Sequence, residues 1–219
     1  MVEHYFGKVE IQVRFLLGAP LNMYMLKLWY NFKSQVNITN SECDFIKNVD
    51  KINFEKNNYQ LFPIYKNEIL TNEFIELIDN CNLQLENDVA IFACNLRTIG
   101  FLHKDITPYS ETGKYCNGSI NCLLMPSRGH LEWFNQEHGE TKLTEISSSY
   151  EGFNDTADTP IDKWFGHEGP ALVNTSVAHR ANNLLGIFPR VAVTVRFKNN
   201  PNWGTLVDKL SEHLDLTRK

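Results

Sequence analysis

The segment 190–197 alternates strictly between large apolar side chains and polar or small ones. The apolar set is Val191, Val193, Val195 and Phe197, and the other set is Arg190, Ala192, Thr194 and Arg196. A period of two residues is typical of a β-strand that buries one face. The second face is cationic at one end and small beside it. The segment therefore predicts a β-rich fold with one strand face free for a ligand.

Other parts of the chain have either strand-like runs or apolar residues at helical spacing. The predicted strands cover 9–15, 89–94, 98–105, 119–125 and 130–134, with a hint of an edge strand at 143–146. The predicted helices cover 21–32, 43–49, 74–81 and 203–216, and Pro63 predicts irregular structure over 60–66. Together these patterns predict a mainly β fold with flanking helices.

His103 and Asp105 are two residues apart within one of these strand-like runs. On a β-strand this spacing places both side chains on one face, where an imidazole and a carboxylate can bind the same metal ion. A third ligand must come from a neighbouring strand. His179, which follows a predicted strand over 173–177, is the preferred candidate. The competing histidines are His130, His138 and His167.

Arg190 follows His179 by eleven residues, and turn-forming residues lie between them. We interpret this interval as a hairpin that joins two strands. The order His-x-Asp, His and then Arg resembles the Fe(II)/2-oxoglutarate-dependent dioxygenases, most closely the phage-type and aspartyl/asparaginyl-hydroxylase-like members. The resemblance covers about 91–197 and implies a double-stranded β-helix, or jelly-roll, core that is buttressed by the N-terminal helices.

The resemblance also implies a set of site residues and cofactors. His103, Asp105 and His179 would bind Fe(II), and Arg190 would bind the far carboxylate of 2-oxoglutarate. Asn121 and Thr194 are further candidates for contact with 2-oxoglutarate or substrate. The implied activity is hydroxylation of a peptide side chain or a small molecule, with consumption of O2, release of succinate and CO2, and ascorbate as reductant.

Several alternatives remain open. The Arg190-x5-Arg196 spacing is similar to that of the AlkB-like nucleobase demethylases. A cupin-like protein could bind a metal or ligand without turnover, and a hydrolase or isomerase could use the same three ligands with another metal. The motif of His103, Asp105, His179 and Arg190 could also be a coincidence in a non-catalytic interaction protein that binds no metal.

Charge and composition indicate which partners and which cellular location to expect. The formal net charge is −5, and the absence of a long basic run argues against a large nucleic-acid interface. No signal-peptide pattern or membrane-length apolar run is present, so we expect a cytoplasmic protein. The five cysteines are scattered and indicate reduced thiols rather than a disulfide framework.

The domain organisation follows from these patterns. We expect a single domain over 1–219, since a chain of this length can bury one substantial core. Within it, 1–88 would support the sheet, 89–200 would form the β core, and 201–219 would end in a helix. The segment 135–169 is dense in polar residues and is predicted to be an insertion that closes over the substrate as a lid.

Overall fold

The computed structural model describes residues 27–33, 36–55, 57–106, 115–125, 127–135, 140–143, 149–153, 159–167 and 169–217. The first six strands are β1 (Trp29–Asn31), β2 (Tyr59–Tyr65), β3 (Asp88–Cys94), β4 (His103–Ile106), β5 (Ser119–Leu123) and β6 (His130–Trp133). The other six are β7 (Glu140–Leu143), β8 (Ser149–Gly152), β9 (Asp162–Trp164), β10 (Ala171–Val173), β11 (His179–Asn182) and β12 (Arg190–Arg196). The helices are α1 (Asp44–Lys47), a 3-10 turn at Val49–Lys51, α2 (Lys66–Ile69), α3 (Asn72–Asn80) and α4 (Trp203–Leu210).

The strands form two six-stranded antiparallel sheets. The first has the order β1-β10-β5-β12-β3-β2, and the second has the order β7-β8-β4-β11-β6-β9. Along the core of the chain, the strands alternate between the sheets except at the step from β6 to β9: β3, β5, β10 and β12 lie in the first sheet, and β4, β6, β9 and β11 lie in the second. This alternation is the winding of a double-stranded β-helix. It confirms the predicted jelly-roll fold.

Helices cover the outer face of the first sheet. Thr71 accepts a hydrogen bond from the backbone N–H of Phe74 at the start of α3, and Asn202 caps α4 through the N–H of Thr205. Such caps satisfy N–H groups that have no partner within the helix. The main apolar core lies between these helices and the sheet; it includes Phe74, Ile78, Ile91, Ile120, Val191, Val193, Val195, Leu206 and Leu210. The expected buttressing by helices is confirmed, and α4 contributes to it from the C-terminal side.

The two faces of β12 carry the side chains that the alternating sequence of 190–197 predicts. Val191, Val193 and Val195 belong to the core beneath the helices. Arg190, Ala192 and Thr194 point the other way, into the space between the two sheets. The side chains of β12 therefore divide between a structural face and a face that lines an internal cavity.

Two secondary-structure predictions are wrong. The helix expected over 21–32 ends in strand β1, in which Tyr30 pairs with Leu172; residues 21–26 lie outside the described residues. Here pairing with β10 outweighs the helical spacing of the apolar residues. The segment 60–66 was expected to be irregular because of Pro63, yet β2 is a continuous strand. Because β2 lies at the edge of its sheet, a residue without an N–H is tolerated there.

The predicted hairpin between His179 and Arg190 is also wrong. β11 and β12 lie in opposite sheets, so the intervening residues cross the end of the sandwich instead of turning back beside the same strand. Buried Asn183 holds this crossover by donating from Nδ2 to the carbonyl oxygens of Asn95 and Phe188, at 3.0 and 3.1 Å. His179 and Arg190 consequently face each other across the space between the sheets.

Some predictions fall on residues outside the described set. The strand predicted over 9–15 and His138 are among them. Of the segment 135–169, the described parts form β7, β8 and β9 of the second sheet, and its role as a lid remains a prediction. Within the described residues, no helix is long and apolar enough to cross a membrane.

Candidate metal centre

Three potential metal ligands converge from two neighbouring strands. His103 of β4 pairs in register with His179 of β11, and Asp105 lies two residues beyond His103 on the same face. One ligand atom from each side chain can be chosen so that all three lie within 4.8 Å of one another. Two imidazoles and one carboxylate on one side of an ion leave its other positions open, which is typical of non-haem Fe(II) sites.

Backbone carbonyl groups fix the orientation of both imidazoles. Nδ1 of His103 lies 2.9 Å from the carbonyl oxygen of Phe101, and Nδ1 of His179 lies 2.9 Å from that of Val177. A carbonyl oxygen only accepts, so Nδ1 carries the proton in each ring. When the ring is neutral, Nε2 is then the nitrogen with the lone pair. This is how histidine ligands are commonly prepared for a metal ion.

Asp105 is held by a partly buried ion pair with Arg196. Nη2 of Arg196 donates to Oδ2 of Asp105 at 3.0 Å, while Oδ1 lies 3.5 Å from Nε2 of His103. Burial raises the pKa of Asp105, but the guanidinium of Arg196 and the two imidazoles outweigh it and hold the pKa well below its usual value. Asp105 is therefore ionised at neutral pH, as a metal ligand must be.

His179 is neutral at physiological pH for related reasons. Its side chain is buried, and burial together with the neighbouring His103 lowers its pKa to about 4. Burial disfavours a charged imidazolium, because the protonated ring loses its hydration. A neutral ring is the form that coordinates a metal ion.

Arg190 is a buried cation that no anion among the described residues neutralises. Only 3% of its surface is exposed, and its Nε and Nη2 atoms have no hydrogen-bond partner in the described part of the chain. Burial lowers its pKa from the usual value, although a guanidinium still remains charged at neutral pH. An unpartnered buried charge is costly, so its presence beside a cavity indicates a ligand that supplies a carboxylate or another anion.

The cavity between the sheets brings all six predicted site residues together. Its lining includes His103, Asp105, His179 and Arg190 as well as Asn121 and Thr194. Asn121 of β5 pairs in register with Thr194 of β12. The cavity volume is about 30 Å³, close to the space of one water molecule. An organic co-substrate therefore enters only if lining side chains move.

The cavity also contains polar residues that the sequence patterns did not indicate. Tyr59 of β2 lines it near Arg190, and burial raises the pKa of its phenol. Thr175 lies at the Asp105 end, where its carbonyl oxygen accepts from the backbone N–H of Asp105 at 3.2 Å. Tyr59 was missed because Pro63 led us to expect irregular structure where β2, which begins at Tyr59, is a strand. Thr175 precedes His179 in an ordinary polar turn, which gives no signal by itself.

The described competitors for the third ligand position lie elsewhere. Nε2 of His130 is 2.7 Å from Oε1 of Glu132, and both side chains lie on the opposite face of β6 from Leu131, which lines the cavity. His167 contacts the ring of Phe165 and lines a separate surface groove. Among the described histidines, His179 is the one that joins His103 and Asp105.

Comparison with known proteins adds little to these observations. No protein-family model matches the sequence, and no curated protein matches it. Three solved structures illustrate the weak matches that exist. The formate complex of Lactobacillus farciminis oxalate decarboxylase is 13% identical over 69% of this chain and 31% of its own, with a TM-score of 0.34. Bacillus subtilis oxalate decarboxylase at pH 4.6 is 10% identical over 69% and 28%, with a TM-score of 0.33.

The third match is vicilin from Corylus avellana, or hazelnut, at 8% identity over 64% of this chain and 29% of its own, with a TM-score of 0.31. The chain thus spans less than a third of the length of each of these proteins. Similarities this slight carry no argument about activity. The fold assignment rests on the strand order of the molecule itself.

Proposed function

We propose that the protein is an Fe(II)- and 2-oxoglutarate-dependent oxygenase that hydroxylates a peptide side chain or a small molecule. The observation that carries the proposal is the pairing of two unusual features in one cavity. One is the cluster of His103, Asp105 and His179, which can hold a metal ion. The other is the buried guanidinium of Arg190, whose Nε and Nη2 atoms find no partner among the described residues.

Each of these residues has a defined task in the proposed reaction. The Nε2 atoms of His103 and His179 and a carboxylate oxygen of Asp105 would hold Fe(II). Arg190 would pair with the distal carboxylate of 2-oxoglutarate, for which a planar guanidinium offers two parallel N–H groups. When bound, Fe(II) with 2-oxoglutarate and O2 supplies the oxidant for C–H hydroxylation, with succinate and CO2 as co-products.

The remaining cavity residues would position the co-substrate and exclude water. Asn121 and Thr194 line the same cavity and offer hydrogen-bonding groups. Ala181 and Ala192, on facing strands, present small apolar side chains to the same space. A small, dry site limits side reactions of a strong oxidant.

A metal-binding protein without turnover is the second candidate. The observation that favours it is the small cavity, which in its present form holds no more than about one water molecule. This candidate keeps the three metal ligands and gives Arg190 a smaller anion as its partner. It predicts metal binding without any dependence on 2-oxoglutarate.

Release of succinate separates the two candidates. The purified protein is incubated with Fe(II), ascorbate, O2 and 2-oxoglutarate, and succinate is measured without added substrate, since such oxygenases turn over slowly when uncoupled. We expect succinate from the wild type and none above background from Asp105→Ala. Arg190→Met should bind iron as the wild type does but need far more 2-oxoglutarate, whereas Lys51→Met, at an exposed residue outside the cavity, should behave as the wild type. No succinate from the iron-loaded wild type would contradict the oxygenase proposal.

A further inference from the structure

Exposed apolar side chains cluster on two adjoining loops near the N-terminal end of β12. They are Leu96, Leu184, Leu185, Ile187 and Phe188, which we call the apolar tip. Leu185 exposes 77% of its surface and Ile187 exposes 59%. The backbone N–H of Arg97 donates to the carbonyl oxygen of Asn183 at 3.2 Å, which joins the two loops. Single exposed apolar residues are ordinary, but a contiguous set marks an interaction surface.

The apolar tip is held rigidly in its exposed position. Asn183 is fully buried beneath it, and its Oδ1 accepts from the hydroxyl of Ser127 at 3.0 Å. Gly186 and Gly129 pack so closely on Asn183 that an added Cβ at either position would overlap its side chain. A loop fixed in this way loses little conformational entropy when it binds a partner. The apolar tip is thus preorganised for binding a partner.

An apolar groove lies directly beside the tip. Its volume is about 490 Å³, and its lining includes Leu123, Leu124, Met125 and Gly166 together with Ile187 and Phe188 of the tip itself. Ser127, Arg128 and His167 contribute polar groups to the lining. The same face of the molecule therefore presents an apolar protrusion and an apolar recess next to each other.

We infer that the apolar tip and this groove form a symmetric interface between two copies of the chain. In a two-fold dimer each copy offers the same surface, so a protrusion on one copy meets a recess on the other, and the reverse contact follows by symmetry. A neighbouring protrusion and recess of matching chemistry satisfy this requirement. Apolar centres with a few polar residues around them are typical of such interfaces.

A membrane surface fits these features less well. Peripheral attachment to anionic lipid generally combines apolar side chains with a cluster of four or more basic residues. In the described part of the chain, the exposed basic residues named on these loops and this groove are Arg97 and Arg128. A concave groove beside the tip also has no counterpart in a flat bilayer. A second copy of the chain therefore fits this surface better than a membrane does.

Sedimentation equilibrium of the full chain tests this inference. The wild type should have about twice the 25.3 kDa mass of one chain. Ile187→Glu should raise the dissociation constant about 30-fold or more, because it places a charge in the centre of the interface. Ile161→Glu is the matched control: Ile161 has the same side chain and 57% exposure but lies outside the tip. Leu185→Glu provides a second variant if Ile187→Glu fails to fold, and circular dichroism verifies folding for each protein.

The possible outcomes separate the occupants. A dimer that is lost in either tip variant and kept in Ile161→Glu supports the interface. A wild type that remains monomeric at hundreds of micromolar overturns it, as does a folded tip variant that remains dimeric. A monomer that pellets with phosphatidylserine vesicles through the tip overturns it in favour of a membrane surface. The test does not depend on metal or 2-oxoglutarate, so it stands apart from the proposed activity.

Discussion

Arg196 donates from Nη2 to Oδ2 of Asp105 at 3.0 Å, so the buried carboxylate in the candidate metal centre already belongs to an ion pair. The two residues lie on strands of opposite sheets, β4 and β12. The pair therefore ties the two sheets together at the metal centre. It also leaves Oδ1, the oxygen nearer to His103, as the atom placed for a metal ion.

Removing Arg196 should destabilise the metal-free protein. In Arg196→Met, Asp105 would be a buried carboxylate without its main counter-charge, and breaking a buried ion pair from one side typically costs about 3–5 kcal/mol. A bound divalent cation would replace much of the lost positive charge. We expect a large loss in the free energy of unfolding without metal and a clearly smaller loss with saturating metal, measured by urea denaturation.

Exposed Lys51 is the control, since Lys51→Met should leave the free energy of unfolding almost unchanged. An equal loss for Arg196→Met with and without metal would contradict the idea that guanidinium and metal ion stabilise the same carboxylate.

The stability of the metal-free protein should rise with pH through the titration of His179. Burial and His103 lower the folded pKa of His179 to about 4, whereas an unfolded histidine titrates near 6.5. Between these values the unfolded chain binds a proton that the folded chain does not. The free energy of unfolding therefore increases from about pH 4 to about pH 6.5, by about 3 kcal/mol, and then levels off.

Urea denaturation at several pH values measures this slope. His179→Gln removes the titrating group and should flatten this part of the profile, while His213→Gln, outside the site, should keep it. Identical profiles for the wild type and His179→Gln would contradict the lowered pKa.

Replacing Arg190 should make the ligand-free protein more stable while impairing its function. Arg190→Met exchanges a buried cation with unpartnered N–H groups for an apolar side chain of similar length. Relief of this burial cost should raise the free energy of unfolding by about 1–3 kcal/mol. The same variant should lose affinity for 2-oxoglutarate. A melting temperature of folded Arg190→Met below that of the wild type would contradict the view that this guanidinium destabilises the protein until it binds an anion.

A second buried charge cluster should matter for stability without affecting metal binding. Glu132 accepts from Nε of Arg180 at 3.0 Å and from Nδ2 of Asn182 at 2.9 Å, on the face of β6 that points away from the cavity. Glu132→Gln removes the charge shared by these contacts and should cost about 1–3 kcal/mol. Calorimetric metal titration should give an unchanged affinity. A large fall in metal affinity would contradict the separation of the two faces.

The sequence carried enough information to predict the β-helix and the positions of the site residues. The alternation in 190–197 and the His103-x-Asp105 spacing are local patterns, and a period of two residues determines which side chains share a face. The patterns showed that His103 and Asp105 share a face of one strand, and the resemblance to the Fe(II)/2-oxoglutarate-dependent dioxygenases implied that Arg190 lies in the same site.

Contacts between distant strands could not be read from such patterns. The ion pair of Arg196 with Asp105 depends on how two sheets face each other, and the crossover after His179 looked like a hairpin because turn residues do not specify the next sheet. Trp29 and Tyr59 belong to strands that are stabilised by their neighbours. Tyr59 lies in β2, an edge strand, and an edge strand tolerates Pro63. Only the strand order shows that β2 lies at an edge.

Anaerobic titration of the Fe(II)-loaded protein with 2-oxoglutarate tests the central claim most directly. If His103, Asp105 and His179 hold the iron and Arg190 binds the distal carboxylate, the wild type should develop a visible iron-to-ligand charge-transfer band that saturates with 2-oxoglutarate. The band should be absent in His103→Ala and should need much more 2-oxoglutarate in Arg190→Met at equal iron content. Stoichiometric iron in the wild type with no band at millimolar 2-oxoglutarate would contradict the account.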